Sequence, residues 1–303
     1  MTDTVSREGQ AARAEYRVQR LTDPDEVRPL LAPDRAYAAY ALAQLDPRLF
    51  GLNEWYVSQG PGRALVLHSR SGLGRALFAM GDAEALDAVL SLHPGARFSF
   101  GSLRPEHRRV AEKHYLLTRP QVMLRMSVSR ETFAPASPAD RPAEGAAVRL
   151  RGRDVAPLNR LYSAEGGPSS YRPAHLDDGV YYGVLTNGAL VSVAGTHVVS
   201  AAEGVAVVGN VFTHPRYRGR GLATVATSAV TAELLEHCSL VALTVEEANA
   251  RAVHVYQRLG YAVRCTLHET PLIRKEPTGM LSLGRRLVAG WRGRKEGKEI
   301  VVK

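Results

Sequence analysis

The chain holds only two cysteines, Cys238 and Cys265, in 303 residues. Neither lies in a metal-ligand or redox spacing, which excludes a zinc ribbon and a disulfide scaffold; both fall near apolar segments and read as buried thiols. Long apolar runs are also missing: none approaches the ~20 residues that a membrane helix needs, so no membrane partner is expected. The opening MTDTVSREGQ contains no signal-peptide core, and the expected location is the cytoplasm. No His, Cys and acidic cluster suggests a bound metal.

What is present is a globular composition, 45% hydrophobic and 23% charged. The length suggests about two domains of ~150 residues each. Net charge is +9 and unevenly spread. From Pro271 onward nine Lys and Arg face three Glu, which is 9 − 3 = +6, leaving +3 elsewhere. This tail has no aromatic interleaving and no nucleic-acid-binding motif, so it reads as a solvated extension and a nucleic-acid partner is not expected. Met280, Leu283, Leu287 and Trp291 recur at helical spacing within it, compatible with a short amphipathic helix docking on the body or a partner.

Ala134 to Gly145 is rich in proline and alanine and divides the chain. The expected organisation is an N-terminal α/β domain over 1–133, a linker over 134–146, a second domain over 147–270, and the basic tail over 271–303. In the second domain, residues 147–150 read as a strand and 155–162 as a helix. Strands over 180–185 and 190–200 flank the turn Asn187-Gly188, and another covers 205–213. In the first, 16–21 reads as a strand and 35–45 as a helix. A hairpin over 64–68 and 75–80 follows, then a helix over 82–92 and strands near 97–100 and 121–127.

Two patterns carry chemistry. The first runs Val211-Phe212-Thr213-His214-Pro215-Arg216-Tyr217-Arg218-Gly219-Arg220-Gly221-Leu222-Ala223. It is a strand end, an Arg/Gly loop and a helix start, with Leu222, Val225, Ala226, Ala229, Val230 and Leu234 on one helix face. Glycines let backbone N–H groups approach an anion, while the helix dipole and arginines supply positive potential. The second places Asn249, Ala252, Tyr256, Gly260 and Tyr261 just after a strand over 240–245. Asn249 suits a helix N-cap and Gly260 the C′ position, giving a helix over 250–259.

Together, in this order, these patterns resemble the signatures of the GNAT superfamily of acyl-CoA-dependent N-acyltransferases. These are Arg/Gln-x-x-Gly-x-Gly/Ala after the fourth strand and Asn-x-x-Ala-x-x-x-Tyr-x-x-x-Gly-aromatic after the fifth. The resemblance covers roughly 147–268 and implies a mixed α+β sheet of GNAT fold, within an α/β protein. The first half loosely echoes the same order without the Arg-x-x-Gly-x-Gly element. It is therefore expected to be a degenerate GNAT-like domain that binds no CoA, in a tandem similar to the glycine N-acyltransferase-like branch; an unrelated α+β domain is the alternative.

The resemblance implies acetyl-CoA, or another acyl-CoA, as co-substrate and an amine on a small molecule or peptide as acceptor. By the same carry-over, the backbone of Val211, Phe212 and Thr213 holds the pantetheine arm. The N–H groups of Gly219, Arg220, Gly221, Leu222, Ala223 and Thr224 cradle the pyrophosphate. Arg216, Arg218 and Arg220 add charge, Asn249 caps its helix and can touch the cofactor, and the Tyr256 hydroxyl meets the CoA sulfur, where it can hydrogen-bond or protonate the departing thiolate. The glutamate that many relatives carry eleven residues before the first motif Arg is here Val207, which cannot take a proton. If Ser200 to Gly204 forms the hairpin turn, His197 falls opposite Val207 on the same face and is a candidate base. Glu246 and Glu165 are rivals, and a water relay or a neutral amine would need no base. His214 reads as loop-shaping, and Glu165 to Tyr171 as the acceptor loop. A catalytically weak acyl-CoA-binding module is the competing reading, and a homodimer stays open.

Overall fold

The computed structural model describes residues 15–71, 74–137, 146–167, 170–276, 278–296 and 301–302, with side chains through residue 289. Residues 138–145 of the linker, Pro168 of the acceptor loop and the Trp291 side chain lie outside the described residues. The first half runs β1 (Tyr16–Leu21), α1 (Pro24–Leu31), α2 (Ala39–Ala43), α3 (Pro47–Phe50), β2 (Glu54–Gln59), β3 (Arg63–Ser69) and β4 (Ala76–Gly81). It continues with α4 (Ala83–Leu92), β5 (Phe98–Leu103), α5 (Arg108–His114), β6 (Tyr115–Leu117) and β7 (Gln121–Val128). The second half runs β8 (Val148–Arg149), α6 (Val155–Ser163), α7 (Pro173–Asp178), β9 (Tyr182–Thr186), β10 (Ala189–Ser200) and β11 (Val205–Thr213). After these come α8 (Leu222–His237), β12 (Leu240–Glu246), α9 (Ala250–Arg258), β13 (Ala262–Arg274), α10 (Met280–Glu296) and β14 (Val301–Val302).

The expected strands and helices are present, with two shortenings: the helix expected over 35–45 is α2 alone, preceded by a 3₁₀ turn at Ala32–Asp34, and the strand expected over 147–150 is the two-residue β8. Asn187 and Gly188 both have positive φ, +50° and +77°, as a two-residue hairpin turn requires.

The strands form one continuous mixed sheet, ordered β14-β1-β2-β3-β4-β5-β13-β7-β12-β11-β10-β9-β8, with β6 beside β13. Apart from β14, the order reads alike from both ends. Each half contributes four antiparallel strands and one parallel step, β4 to β5 or β11 to β12. Each then receives a strand from the other half. β13 pairs with β5, β7 pairs with β12, and the two exchanged strands pair antiparallel at the centre. The halves therefore share hydrogen bonds and core across the linker.

Alternation along β7 sorts the two faces. Leu124, Met126 and Val128 join the core beneath α8 and α9, while Met123 joins the core beneath α1 and α2. On the second face α2 crosses from the first half, and its Ala39 packs on Val207 of β11 and Ala242 of β12. α6 and α7 build a neighbouring core with Val193, Tyr181 and Phe212.

The tail is not wholly an extension, since α10 docks on the end of α4. The contact is polar: Arg285 and Arg286 donate to the carbonyls of Ser91 and Leu92 at 3.0 and 3.1 Å, which are otherwise unsatisfied at a helix C-terminus. Met280 and Leu287 of the anticipated apolar stripe remain exposed.

Candidate active site

β11 and β12 pair in parallel from Val205↔Leu240 to Val208↔Leu243 and then part. Beyond that point the β12-facing edge of Gly209 to Thr213 has no strand partner among the described residues. The parting is reinforced by a bulge: between Val193↔Phe212 and Gly195↔Gly209, β11 holds one residue more than β10, and Asn210 there has φ +54°. Val211 turns toward the α8–α9 core, whereas Phe212 meets Tyr162 of α6. Val211, Phe212 and Thr213 thus form an open strand edge leading into the Arg/Gly loop.

Gly219 and Gly221 both adopt φ +79°, and Gly221 is the N-cap of α8. A Cβ at Gly219 would meet nothing within 4 Å, so the glycine is needed for its backbone angle and the loop faces open space. Leu222 and Thr224 bury their side chains, leaving backbone N–H groups as what the first turn of α8, through Ala223, can offer an anion. His214 shapes the approach, its ring accepting the Arg216 N–H at 3.3 Å. Arg218 is tied back: it donates to the Thr213 carbonyl at 3.1 Å and forms an ion pair with Glu165. That pairing engages Glu165, one rival for the role of base. Arg220 lies over the Tyr217 ring at 5.0 Å. Glu246, the other rival, is exposed at the end of β12.

On the far side of the gap, Asn249 caps α9 by accepting the Ala252 N–H at 3.1 Å. Gly260, at φ +86°, closes the same helix where any Cβ would fall 1.9 Å from the Thr132 carbonyl oxygen. Tyr256 projects from α9 into the core, its ring 6.1 Å from that of Tyr261. Burial pushes the Tyr256 hydroxyl up to about 12, so it is protonated at neutral pH.

His197 corrects the expected register. Val207 pairs with Val198, and His197 is the extra residue of a bulge between Thr196↔Val208 and Val198↔Val207. The hairpin is one residue out of the expected register, which alone would turn His197 to the α8 face. The bulge restores the other face. The imidazole lies over Gly209, whose Cβ, if present, would be 2.3 Å from Nε2.

The histidine joins a hydrogen-bonded chain that the sequence did not reveal. Tyr40 Oη of α2 is 2.6 Å from His197 Nδ1, and His197 Nε2 is 3.2 Å from Asn210 Oδ1. Tyr171 also donates to Asn210 Oδ1 at 2.8 Å, while Asn210 Nδ2 donates to Tyr181 Oη at 3.0 Å. An amide oxygen can only accept, so His197 carries its proton on Nε2 and receives the Tyr40 hydroxyl at Nδ1. Burial pushes the His197 pKa below the ordinary value; the Asn210 bond acts against this and Arg125 adds to it. Tyr40 is pushed up to about 12, also first by burial. His197 and Tyr256 thus approach the gap from opposite faces. A Gly-Asn pair inside a β-branched strand is the one local signal that could have announced the Asn210 bulge. Tyr40, some 150 residues upstream of His197, has none.

Residues 154–261, about a third of the chain, match the model of the acetyltransferase (GNAT) family. No curated protein matches the chain. Among solved structures, a GNAT-family protein from Novosphingobium aromaticivorans is 24% identical over 78% of this chain and 97% of its own, with a TM-score of 0.52. A Drosophila protein is 17% identical over 84% and 98%, with a TM-score of 0.63. A GCN5-related N-acetyltransferase from Kribbella flavida is 19% identical over 77% and 95%, with a TM-score of 0.54. These likenesses span both halves and establish the fold.

Proposed function

We propose that this chain, whose residues 154–261 form a GNAT acetyltransferase domain, moves an acetyl or other short acyl group directly from acyl-CoA to an amine within a ternary complex. The observation that carries the reading is the meeting of three features around one core at the parting of β11 and β12. These are the glycine-lined start of α8, the unpaired edge of β11, and a protonated buried tyrosine across the gap.

The backbone N–H groups of 219–224 receive the pyrophosphate, with Arg216 and Arg220 adding charge. The edge at Val211 and Thr213 offers the pantetheine arm strand-like hydrogen bonds. The amine nitrogen attacks the thioester carbon, the C–N bond forms, and the C–S bond breaks. Tyr256 donates its proton to the departing thiolate. The proton lost by the amine passes to Tyr40 Oη as the Tyr40 proton moves to His197 Nδ1, leaving a neutral phenol and an imidazolium. This pair takes the role that Val207, sealed against Ala39 and Ala242, cannot perform. The first half takes no CoA: the start of α4, the counterpart of α8, already has Asp82, whose carboxylate accepts the Arg63 N–H at 2.8 Å.

Thiol release from acetyl-CoA across a panel of amines tests the reading. Turnover on at least one amine is expected. Saturable CoA binding without turnover on any would overturn it in favour of a CoA-binding module.

A further inference from the structure

α10 walls one side of a cavity of about 400 Å³ that shares no lining residue with the candidate active site. Arg70 follows β3, Arg274 ends β13 and Arg286 lies on α10, so three guanidiniums line it from three parts of the chain. Among its described lining residues Glu54 is the one carboxylate, and it pairs with Arg70 at 2.8 Å. Three guanidiniums against one carboxylate leave a surplus of two positive charges. Glu276, close by in the chain, is engaged elsewhere, accepting the Ser282 N–H of α10 at 2.7 Å. Arg274 is aimed by the carbonyls of Gly95 and Glu276, each at 2.7 Å, and its Nη2 would lie 3.5 Å from a Cβ on Gly279, at the start of α10. Tyr56 and His93 form an aromatic wall, their rings stacked at 4.1 Å and 16°. Burial first, then Arg286, His68 and Arg20, lower the His93 pKa to about 4, so the ring is neutral at pH 7 and registers the positive field. Charge gathered in a cavity attracts an anion more strongly than the same charge spread over a surface. The helix at its edge needs such a tie: Met280, Leu281, Leu287 and Val288 are exposed, and Arg285 and Arg286 hold α10 through the carbonyls that end α4.

We propose that this cavity binds a phosphate group, and that the bound group fastens α10 to the body. A carboxylate is satisfied by one guanidinium in a two-pronged pair. A phosphate dianion carries the two charges that the surplus calls for and enough oxygens to reach guanidiniums on three sides. The start of α10, with Gly279 and Ser282 in the wall, adds the positive end of the helix dipole. Shared between Arg70, Arg274 and Arg286, the anion supplies the cohesion that the exposed apolar residues of α10 do not. The site is independent of the acyl-transfer reading and stands or falls without it.

The test is calorimetry on the full chain with CoA at saturation, so that the α8 loop does not compete for phosphate. Inorganic phosphate, glycerol phosphate and acetate are titrated at constant ionic strength. One of the two phosphates should bind one to one and at least about tenfold tighter than acetate. Arg70→Gln and Arg286→Gln should each weaken that binding about tenfold or more and leave CoA affinity unchanged. Tryptic cleavage after Arg285 and Arg286 should slow several-fold at saturating phosphate in the natural chain but not in Arg70→Gln, which lies outside α10. Tighter binding of glycerol phosphate identifies a phosphomonoester as the ligand, and the reverse identifies free phosphate; both uphold the site. No saturable binding, equal affinity for acetate, or affinity untouched by both substitutions would overturn it. So would cleavage of α10 that ignores bound phosphate. Arg70 is exposed, so Arg70→Gln should keep the natural Tm and decides the matter if Arg286→Gln fails to fold.

Discussion

Gly209→Ala tests the placement of His197 without touching a polar group. Gly209 is outside the positive-φ residues, so the backbone accepts alanine. The obstacle is the imidazole: the new Cβ would lie 2.3 Å from Nε2, 2.4 Å from Cε1 and 2.6 Å from Cδ2. Ordinary carbon contacts are near 3.5–4.0 Å, so the ring must withdraw by about 1 Å or more. From 2.6 and 3.2 Å, the Tyr40 and Asn210 hydrogen bonds cannot both survive that shift. Two such bonds contribute about 2 kcal/mol, a fall in Tm of only a few degrees in a chain this long. The rate loss should be larger, on the order of 10² in kcat, because a general base must sit within hydrogen-bond reach of its proton. The assay is thiol release over a double-mutant cycle with His197→Ala. In the His197→Ala background, Gly209→Ala should change kcat little. Comparable losses in both backgrounds would refute the placement of His197 in the proton path.

The same base predicts a pH profile. His197 acts when neutral and its pKa is lowered, so kcat/KM should fall on acidification only below the ordinary histidine value of about 6.5; His197→Ala should remove that limb. Tyr256→Phe should lower kcat by about 10²-fold or more with CoA affinity nearly unchanged, measured by turnover and calorimetry. Val207→Glu should not improve catalysis but lower Tm, since the carboxylate would be buried against Ala39 and Ala242. Burial and Arg286 hold His93 near pH 4. Its folded pKa is depressed, so its stability contribution is complete above the unfolded value of about 6.5 and is lost as pH falls toward 4. Melting curves at pH 4 and 7 should converge for His93→Gln relative to the natural chain.

What was legible in the sequence depended on how far each feature reached along the chain. The α9 pattern is self-contained: Asn249 caps three residues ahead, and Gly260 is the glycine its own φ demands, so spacing alone defines the helix. The same holds for Gly219 and Gly221. The His197 register failed by one residue at the hairpin turn, and a bulge, which leaves no periodic trace, returned the side chain to the expected face. The exchange of β7 and β13 was invisible for a different reason. Each strand alternates as it would beside its own half, and only the sheet order reveals whose edge it completes. That exchange also matters for chemistry. By laying β7 against β12, it brings Arg125 from the first half beside the parting of β11 and β12, and α2 brings Tyr40 over the same face. A second domain docked through loops would be free to shift relative to the cofactor site. One joined through the central strands fixes β7 by the hydrogen bonds that hold the sheet, and the packing of α2 on Val207 and Ala242 fixes Tyr40. The first half therefore need not bind CoA to be required for the reaction, and cutting the chain at the linker should abolish transfer by removing a strand from each half.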